Sequence, residues 1–238
     1  MVTQLVLGDT SVDVVFKDIK NVHLSVYPPT GQVRISAPAR MSMETVRAFA
    51  ISELGWIKRQ QKKLLGQERE TPREFLDRES HYVWGKWYLL DVVELDQVPS
   101  IELKHDHMVL QVRPGVDEDK KRIVVEDWYR EQIKSAVLPL LDRWQPRVGV
   151  NVGRFFVQRM KTRWGSCNHN AGTIRLNTEL AKKPPECLEY IVVHELIHLL
   201  EPTHNAGFVD QMDRHMPLWR FRRDELNRAP LAHQSWRY

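Results

Sequence analysis

The sequence predicts an α+β fold, in which a strand-rich first part is followed by an α+β domain organised around helices. Alternating apolar and polar residues separated by turn residues dominate residues 1–112. Apolar residues instead recur at helical spacing over residues 123–144 and 188–199. An Arg-Pro-Gly break separates the two patterns, and 238 residues suffice for two domains. We therefore expect domains at residues 1–115 and 116–238.

A hairpin and a long helix are predicted near the start of the chain. Residues 22–27 and 33–36 alternate apolar and polar side chains on either side of a Pro-Pro-Thr-Gly turn, which is typical of a β-hairpin. Apolar residues then recur every three or four positions across residues 42–65. Because Ser42 is a suitable N-cap and Gly66 a suitable stop, we expect one helix over this span.

Two strand pairs and another helix are predicted next. The first pair covers residues 81–93 with its turn at Gly85-Lys86, and the second covers residues 101–112 with its turn at residues 105–107. An apolar stripe along residues 123–144 then predicts a helix whose aromatic residues belong to the core.

Two more strands precede the helix that carries the chemistry. They are expected at residues 154–160 and 172–176, with residues 163–170 as their connection. The helix begins at Pro184-Pro185, since proline is well suited to a first helical turn. Its predicted buried face consists of Leu188, Ile191, Val192, Leu196 and Leu199.

This helix contains the pattern H-E-x-x-H, at His194, Glu195 and His198. Residues four apart on a helix point in nearly the same direction, so the two imidazoles can share one zinc ion. Glu195 lies one residue along from His194, where it can take a proton from water without ligating the metal. The pattern therefore predicts a metal-dependent hydrolase with Glu195 as general base.

A catalytic zinc site usually has three protein ligands and one open position, and His204 is the expected third ligand. A continued helix would turn His204 away from the ion, but Pro202 prevents continuation and lets the chain fold back. The spacing H-E-x-x-H-x5-H equals that of the metzincins, although Glu201 replaces their glycine. The competing third ligand is a carboxylate from a downstream helix, as in gluzincins, for which Asp210, Asp213 and Glu225 are available.

The composition is that of an ordinary soluble globular protein, with 42% hydrophobic and 28% charged residues. Since 35 basic residues face 31 acidic ones, the net charge of +4 does not decide whether nucleic acid is a partner. The chain has only two cysteines, its first residues do not resemble a signal peptide, and it contains no long uncharged apolar run. We therefore expect a cytoplasmic protein without a membrane partner.

Several stretches of the sequence match one known family. They are Gly31 to Pro38, Trp56-Ile57, Gly85-Lys86, Lys161-Thr162-Arg163-Trp164-Gly165-Ser166-Cys167, Ile174-Arg175-Leu176-Asn177, His194 to Leu199, His204 and Phe208. On these residues the chain resembles the YgjP-like metallopeptidases, which are related to the SprT-like and Wss1-like zinc metalloproteases. The resemblance spans nearly the whole chain, and its Arg-Trp-Gly-Ser-Cys stretch is the most specific part.

The resemblance implies a compact zincin-like, minigluzincin-like catalytic domain that cleaves a peptide or protein. It implies one zinc ion on His194, His198 and His204, with Glu195 as general base, and leaves other divalent metals open. The candidate substrate or oxyanion residues are Arg163, Trp164, Gly165, Ser166 and Arg175.

The segment Arg163–Cys167, which precedes the strand expected at residues 172–176, has three candidate roles. In the first, it forms an edge along which the substrate binds, as zincins commonly bind extended substrates along a strand beside the active helix. In the second it supplies positive charge, and in the third its side chains only pack in the core. Cys167 within it lacks a cysteine partner at the usual spacing, so we expect a small buried residue rather than a fourth ligand.

Three functions compete at this stage. The first is a zinc-dependent peptidase. The second is a metal-dependent nucleotide phosphohydrolase, namely a nucleoside triphosphate pyrophosphatase, because Arg159, Lys161, Arg163 and Arg175 suit phosphate groups. The third is a non-enzymatic, zinc-stabilised adaptor that binds nucleic acid or protein, although structural zinc sites usually have four ligands.

Overall fold

The computed structural model describes residues 2–27, 30–65, 75, 77–160 and 163–228. Some expectations fall outside the described residues, namely those for Pro28, Pro29, Gly66, Lys161 and Thr162. Contacts along the chain divide it into two compact units, one within Met1–Pro72 and the other within Arg73–Ala229. Both units combine strands with helices, so the expected α+β fold class is confirmed.

The first unit contains a four-stranded sheet with the order β1-β2-β4-β3. Its strands are β1 (Val2–Leu7), β2 (Thr10–Lys17), β3 (His23–Tyr27) and β4 (Gln32–Pro38). The predicted hairpin is present as the antiparallel pair β3 and β4. Alternation places Val12, Val14, Val33 and Ile35 on one face, where all four are fully buried.

The single helix expected after the hairpin is two helices, α1 (Met43–Ser52) and α2 (Leu54–Leu65). Ser42 caps α1 as expected, because its side chain accepts a hydrogen bond from the backbone N–H of Thr45 at 3.2 Å. The break comes at Glu53, which follows Ser52 as the C-cap of α1. Helical spacing of apolar residues continues across such a break, so the sequence pattern does not reveal it.

The second unit begins with a sheet of order β5-β6-β8-β7. Its strands are β5 (Ser80–Val83), β6 (Lys86–Glu94), β7 (Ser100–Lys104) and β8 (His107–Val112). The first turn is Trp84-Gly85 rather than the expected Gly85-Lys86, and both residues have positive φ, of 49° and 79°. Such a pair is what a two-residue hairpin turn of the primed type requires.

The compact units divide near residue 72, whereas the sequence led us to expect a boundary at residue 115. The reason is a shared core. Met108, Leu110 and Val112 of β8 belong to the same cluster of buried side chains as Val125 and Tyr129 of the helix that follows.

That helix, α3 (Glu118–Val148), runs from an Asp117 N-cap to Gly149, which has φ of 79° and ends the helix in the left-handed conformation. It is followed by a three-stranded sheet of order β10-β11-β9, formed by β9 (Arg154–Gln158), β10 (Gly165–Asn168) and β11 (Thr173–Asn177). We expected the residues of β10 to be only a connection, but they pair antiparallel with β11.

Three helices complete the second unit, α4 (Pro185–Ile197), α5 (Ala206–His215) and α6 (Trp219–Arg228), after a short 3₁₀ helix at Thr178–Lys182. The turn between β5 and β6 packs against the start of α4, since a Cβ at Gly85 would lie 3.0 Å from Pro184 Cγ. Among the helices of the described residues, none is long and apolar enough to cross a membrane.

Candidate metal centre

Helix α4 holds the first two histidines one turn apart. Its buried residues surround most of its circumference, so the helix is fixed within the core and its last turn has little freedom to move. His194 lies in that last turn, and His198 is the C-cap, whose N–H donates to the His194 carbonyl at 3.2 Å. Their Nε2 atoms are 3.1 Å apart.

The third histidine, His204, lies close to the other two because the chain reverses direction directly after α4. The helix ends at Ile197, and its carbonyl accepts hydrogen bonds from the N–H groups of Leu200 and Glu201, at 2.9 Å each. Helix α5 then begins at Ala206, after the N-cap Asn205, whose side chain accepts a hydrogen bond from the N–H of Phe208 at 2.9 Å. Between these fixed points lies His204, and its Nε2 atom is 3.1 Å from that of each other histidine.

The three Nε2 atoms form an equilateral triangle that suits a metal ion. The N–H at Nδ1 of His198 donates to the Glu201 carbonyl at 2.9 Å, so its Nε2 presents a lone pair. A zinc ion with ligands at 2.0–2.1 Å in tetrahedral geometry separates neighbouring nitrogens by about 3.3 Å. Among the described residues, His194, His198 and His204 are the group of side chains close enough to hold a metal.

The surroundings keep the rings of His194 and His198 neutral, which is the form that binds metal. Burial, helped by the nearby His198 and His204, lowers the pKa of His194 to about 3. Burial also lowers the pKa of His198, against the opposing effect of its hydrogen bond to Glu201.

Phe208 on α5 packs against the rings of all three histidines. Its ring centroid lies 4.9, 4.7 and 4.7 Å from those of His194, His198 and His204, and its side chain is 2% exposed. One buried aromatic side chain therefore contacts all three imidazoles and limits their rotation.

Glu195 lies beside the triad in a tight and mostly apolar space. It is 4% exposed, and its Oε2 has no hydrogen-bond partner among the described residues. Burial raises the pKa of Glu195 to about 8, although the charge of Arg163 opposes the shift. Carboxylates that accept protons in catalysis are tuned in this direction.

Gly165 on β10 provides the space for the Glu195 carboxyl group. A Cβ at this position would lie 2.9 Å from both Cγ and Cδ of Glu195 and closer still to its Oε1. Only glycine fits here without moving the carboxylate. The sequence did not distinguish a packing role of Gly165 from a substrate-contacting one, and the structure gives it a direct role in placing Glu195.

The triad and Glu195 open into a cleft of about 520 Å³. Its walls come from Arg163–Cys167, from the last turns of α4, from the loop with Pro202, and from α6. Strand β10 lies at one end of its sheet, so within the described part of the chain its outer edge has no strand beside it.

The hydrogen-bond pattern shows which backbone groups of β10 point toward that edge. The N–H of Asn177 donates to the Trp164 carbonyl at 2.9 Å, so these two residues form a hydrogen-bonded pair. Such pairs alternate in antiparallel sheets. The N–H and C=O groups of Gly165 and Cys167 therefore point away from β11.

The other expected site residues divide between the cleft and elsewhere. Arg163, Trp164 and Ser166 line the cleft, and Trp164 also packs against the core with Lys183 Nζ 5.8 Å from its ring. Arg175 does not reach the cleft. It pairs with Phe156 across the sheet, and its guanidinium lies over that ring at 5.6 Å, because the flanking residues of β11 point into the core.

The carboxylates considered as alternative third ligands are engaged elsewhere or lie outside the triad. Asp213 accepts hydrogen bonds from Trp219 and Arg220, and Glu225 accepts one from Arg222 at 3.0 Å. Asp210 does not join the group of potential ligands within the described residues. Cys167 also lies outside that group, and burial raises the pKa of its thiol to about 11.

Asn177 anchors the segment that leads into β10. Its Nδ2 donates to the carbonyls of Met160 and Arg163, both at 2.8 Å, and the side chain is buried. One carboxamide thus holds both Met160 and Arg163 and fixes the position from which the chain enters β10.

We expect Asn177→Asp to lower kcat/KM by about tenfold or more and to lower the free energy of unfolding by about 1–3 kcal/mol, because one carboxylate oxygen would replace the NH2 group that donates both buried hydrogen bonds. Urea unfolding and peptide hydrolysis measure the two effects. Asn168→Ala is the matched control, since Asn168 is exposed and caps only a turn through Ala171. Equal effects of both variants would contradict the anchoring role.

Several cleft residues were not identified from the sequence, among them Tyr190 and Arg223. Tyr190 lies one turn before His194 with its ring 5.8 Å from that imidazole, and Arg223 comes from α6. Burial raises the pKa of Tyr190 to about 12, so its hydroxyl stays protonated. The spacing of four residues between Tyr190 and His194 was a usable signal, whereas nothing in the sequence linked Arg223 to the motif.

Comparison with known proteins places these residues in context. The family described as "YgjP-like, metallopeptidase domain" matches residues 20–229. No curated protein matches the chain. Similar solved structures include the metallopeptidase zymogen of Pyrococcus abyssi abylysin, with 22% identity, covering 37% of this chain and 89% of that one, at a TM-score of 0.35. The metallopeptidase zymogen of Methanocaldococcus jannaschii jannalysin has 23% identity, covers 40% and 86%, and has a TM-score of 0.33.

Proposed function

The chain belongs to the YgjP-like metallopeptidase family, and on that premise we propose that it is a zinc-dependent peptidase in which Glu195 is the general base. The observation that carries the proposal is the equilateral triangle of Nε2 atoms, 3.1 Å on each side, in the same cleft as Glu195. His194, His198 and His204 would hold the metal.

Three imidazoles are a typical ligand set of catalytic zinc, and they leave a coordination position open. When bound, zinc lowers the pKa of water and polarises a carbonyl group. A structural zinc site would instead be closed by a fourth protein ligand, and the described residues bring no fourth side chain to the triad. This difference favours the catalytic role over the adaptor.

Glu195 provides the proton transfers. Its carboxylate accepts a proton from the attacking water and returns it to the amine of the leaving peptide. Gly165 keeps this carboxylate close to β10, and the unpartnered Oε2 leaves one oxygen free for the proton. A metal ion held by the adjacent triad would favour the charged form of Glu195 and so offset the effect of its burial.

Strand β10 would align the substrate. The N–H and C=O groups of Gly165 and Cys167 point to the outer edge of the sheet, so an extended peptide can pair with them as an added strand. Backbone pairing of this kind holds a peptide without requiring a particular side-chain sequence. The scissile bond is thereby held next to Glu195.

The nucleotide alternative finds less support in the structure. It rested on four cationic residues, of which Arg163 lines the cleft. Arg159 forms an ion pair with Glu126 at 2.7 Å, Arg175 lies over Phe156, and Lys161 is outside the described residues.

Incubation with an unfolded protein and a mixed peptide library tests the proposal. We expect chelation to abolish cleavage and stoichiometric zinc to restore it, with products identified by mass spectrometry. Nucleoside triphosphates are assayed in parallel for pyrophosphate release. Absence of zinc-dependent peptide cleavage, or pyrophosphate release alone, would overturn the peptidase assignment.

A further inference from the structure

The cleft contains two arginine side chains that the proposed chemistry does not use. Arg163 immediately precedes β10, and Arg223 comes from α6, so the two lie on different walls. Among the described residues that line the cleft, Glu195 has the one carboxyl group, and that group is 4% exposed. The exposed charged side chains that line the cleft are therefore the two arginines.

Within the described residues, Arg163 lacks the ion pair that several other arginines of this unit form. Arg143, Arg159 and Arg222 each form an ion pair with a glutamate, at 2.9, 2.7 and 3.0 Å. Arg163 makes no side-chain hydrogen bond or ion pair within the part of the chain that the structure describes. Its exposed guanidinium beside the edge strand is thus available to a ligand.

Arg223 is held in place by contacts that leave it on the cleft wall. Its guanidinium lies 5.2 Å from the ring centroid of Trp219, and its Nε donates to Asp224 at 3.1 Å. Both arginine side chains line the same cleft as Glu195 and the three histidines.

We propose that Arg163 and Arg223 make the cleft selective for peptides that carry an aspartate or glutamate close to the scissile bond. The inference rests on the proposed peptidase function and names its substrate class. A guanidinium forms paired, charge-assisted hydrogen bonds with a carboxylate, and an amide in the same place lacks the charge.

Matched peptides that differ only by Glu or Gln at one position near the cleaved bond test the proposal with the zinc-loaded protein. At one of the tested positions we expect kcat/KM to be higher for the Glu peptide than for the Gln peptide, by about tenfold or more. The double variant R163Q/R223Q is expected to bring this ratio close to one. Arg175→Gln is the control, since it removes an arginine charge that does not line the cleft, and it is expected to keep the ratio.

A charge-reversal variant and a binding measurement extend the test, and the binding measurement does not depend on turnover. R163E/R223E is expected to favour Lys peptides over Glu peptides. In zinc-loaded Glu195→Gln protein, fluorescence anisotropy is expected to show tighter binding of the Glu peptide than of the Gln peptide.

The outcomes separate this inference from the proposed function. Zinc-dependent cleavage and binding without preference for Glu would overturn the inference and leave the peptidase assignment intact. Acid-selective binding without cleavage would support the inference and contradict the peptidase assignment. An equal loss of turnover on both peptides in Arg163→Gln would overturn the recognition role, because an oxyanion contact serves every substrate alike. Competition by inorganic triphosphate, with no preference among peptides, would also overturn it.

Discussion

Glu195→Gln is expected to lower kcat for peptide hydrolysis by about 10²–10⁴-fold, the usual contribution of a general base. The amide has nearly the same shape as the carboxylic acid, so the contact with Gly165 is preserved. Glu195 also lies outside the group of three histidines, so we expect zinc stoichiometry to stay the same. The measurements are steady-state hydrolysis and zinc content on the same protein sample.

Glu189→Gln is the matched control on the same helix. Glu189 accepts hydrogen bonds from Arg143 at 2.9 Å and Trp144 at 2.8 Å, and it does not line the cleft. We expect its replacement to cost about 1 kcal/mol of stability and to leave kcat unchanged. Full activity of Glu195→Gln with zinc bound would contradict the general-base role.

Gly165→Ala is expected to reduce hydrolysis by about 10²-fold and stability by about 1–3 kcal/mol. The new Cβ would lie 2.9 Å from Cγ and Cδ of Glu195, closer than real Cβ contacts allow. Neither the paired strand β10 nor the buried helix α4 can easily shift, so the carboxylate must leave its position. Peptide hydrolysis and denaturant unfolding measure the two losses.

Two comparisons isolate this steric effect. Gly153→Ala is the control, because its nearest neighbour would be the Gly172 carbonyl oxygen at an ordinary 3.6 Å. In a double-mutant cycle, Glu195→Ala is expected to relieve the stability loss of Gly165→Ala, since the clash disappears with the side chain. Additive stability losses would show that the two residues are not coupled.

The paired histidines were predictable from the sequence because helical geometry fixes residues four apart. The position of His204 was predicted from Pro202, but the structure ends the helix earlier, at Ile197. The turn depends on hydrogen bonds from Leu200 and Glu201 to Ile197, which spacing alone does not reveal. A chain reversal was thus foreseeable, and its geometry was not.

Strand β10 was missed because local pattern does not determine it. Its residues lack the apolar alternation of a strand, and the strand exists through pairing with β11. The same pairing explains why Arg175 does not line the cleft, although we expected it among the substrate or oxyanion residues. The flanking Ile174 and Leu176 are fully buried, so alternation turns Arg175 to the opposite face, but the sequence did not show which face the cleft occupies.

Contacts between residues that are distant in the sequence could not be predicted from the sequence either. Arg223 joins the cleft through the packing of α6 on α4, and Gly165 contacts Glu195, which lies thirty positions further along the chain. Phe208 was noted only through family resemblance, and its contact with all three imidazoles became visible with the positions of α4 and α5.

X-ray absorption at the zinc edge of the zinc-loaded protein shows whether three imidazoles bind zinc and leave an open position beside Glu195. This arrangement predicts a first shell of three histidine nitrogens and one oxygen at about 2.0–2.1 Å, with one nitrogen lost in His204→Ala. A sulfur ligand at about 2.3 Å, or a shell unchanged by His204→Ala, would contradict it.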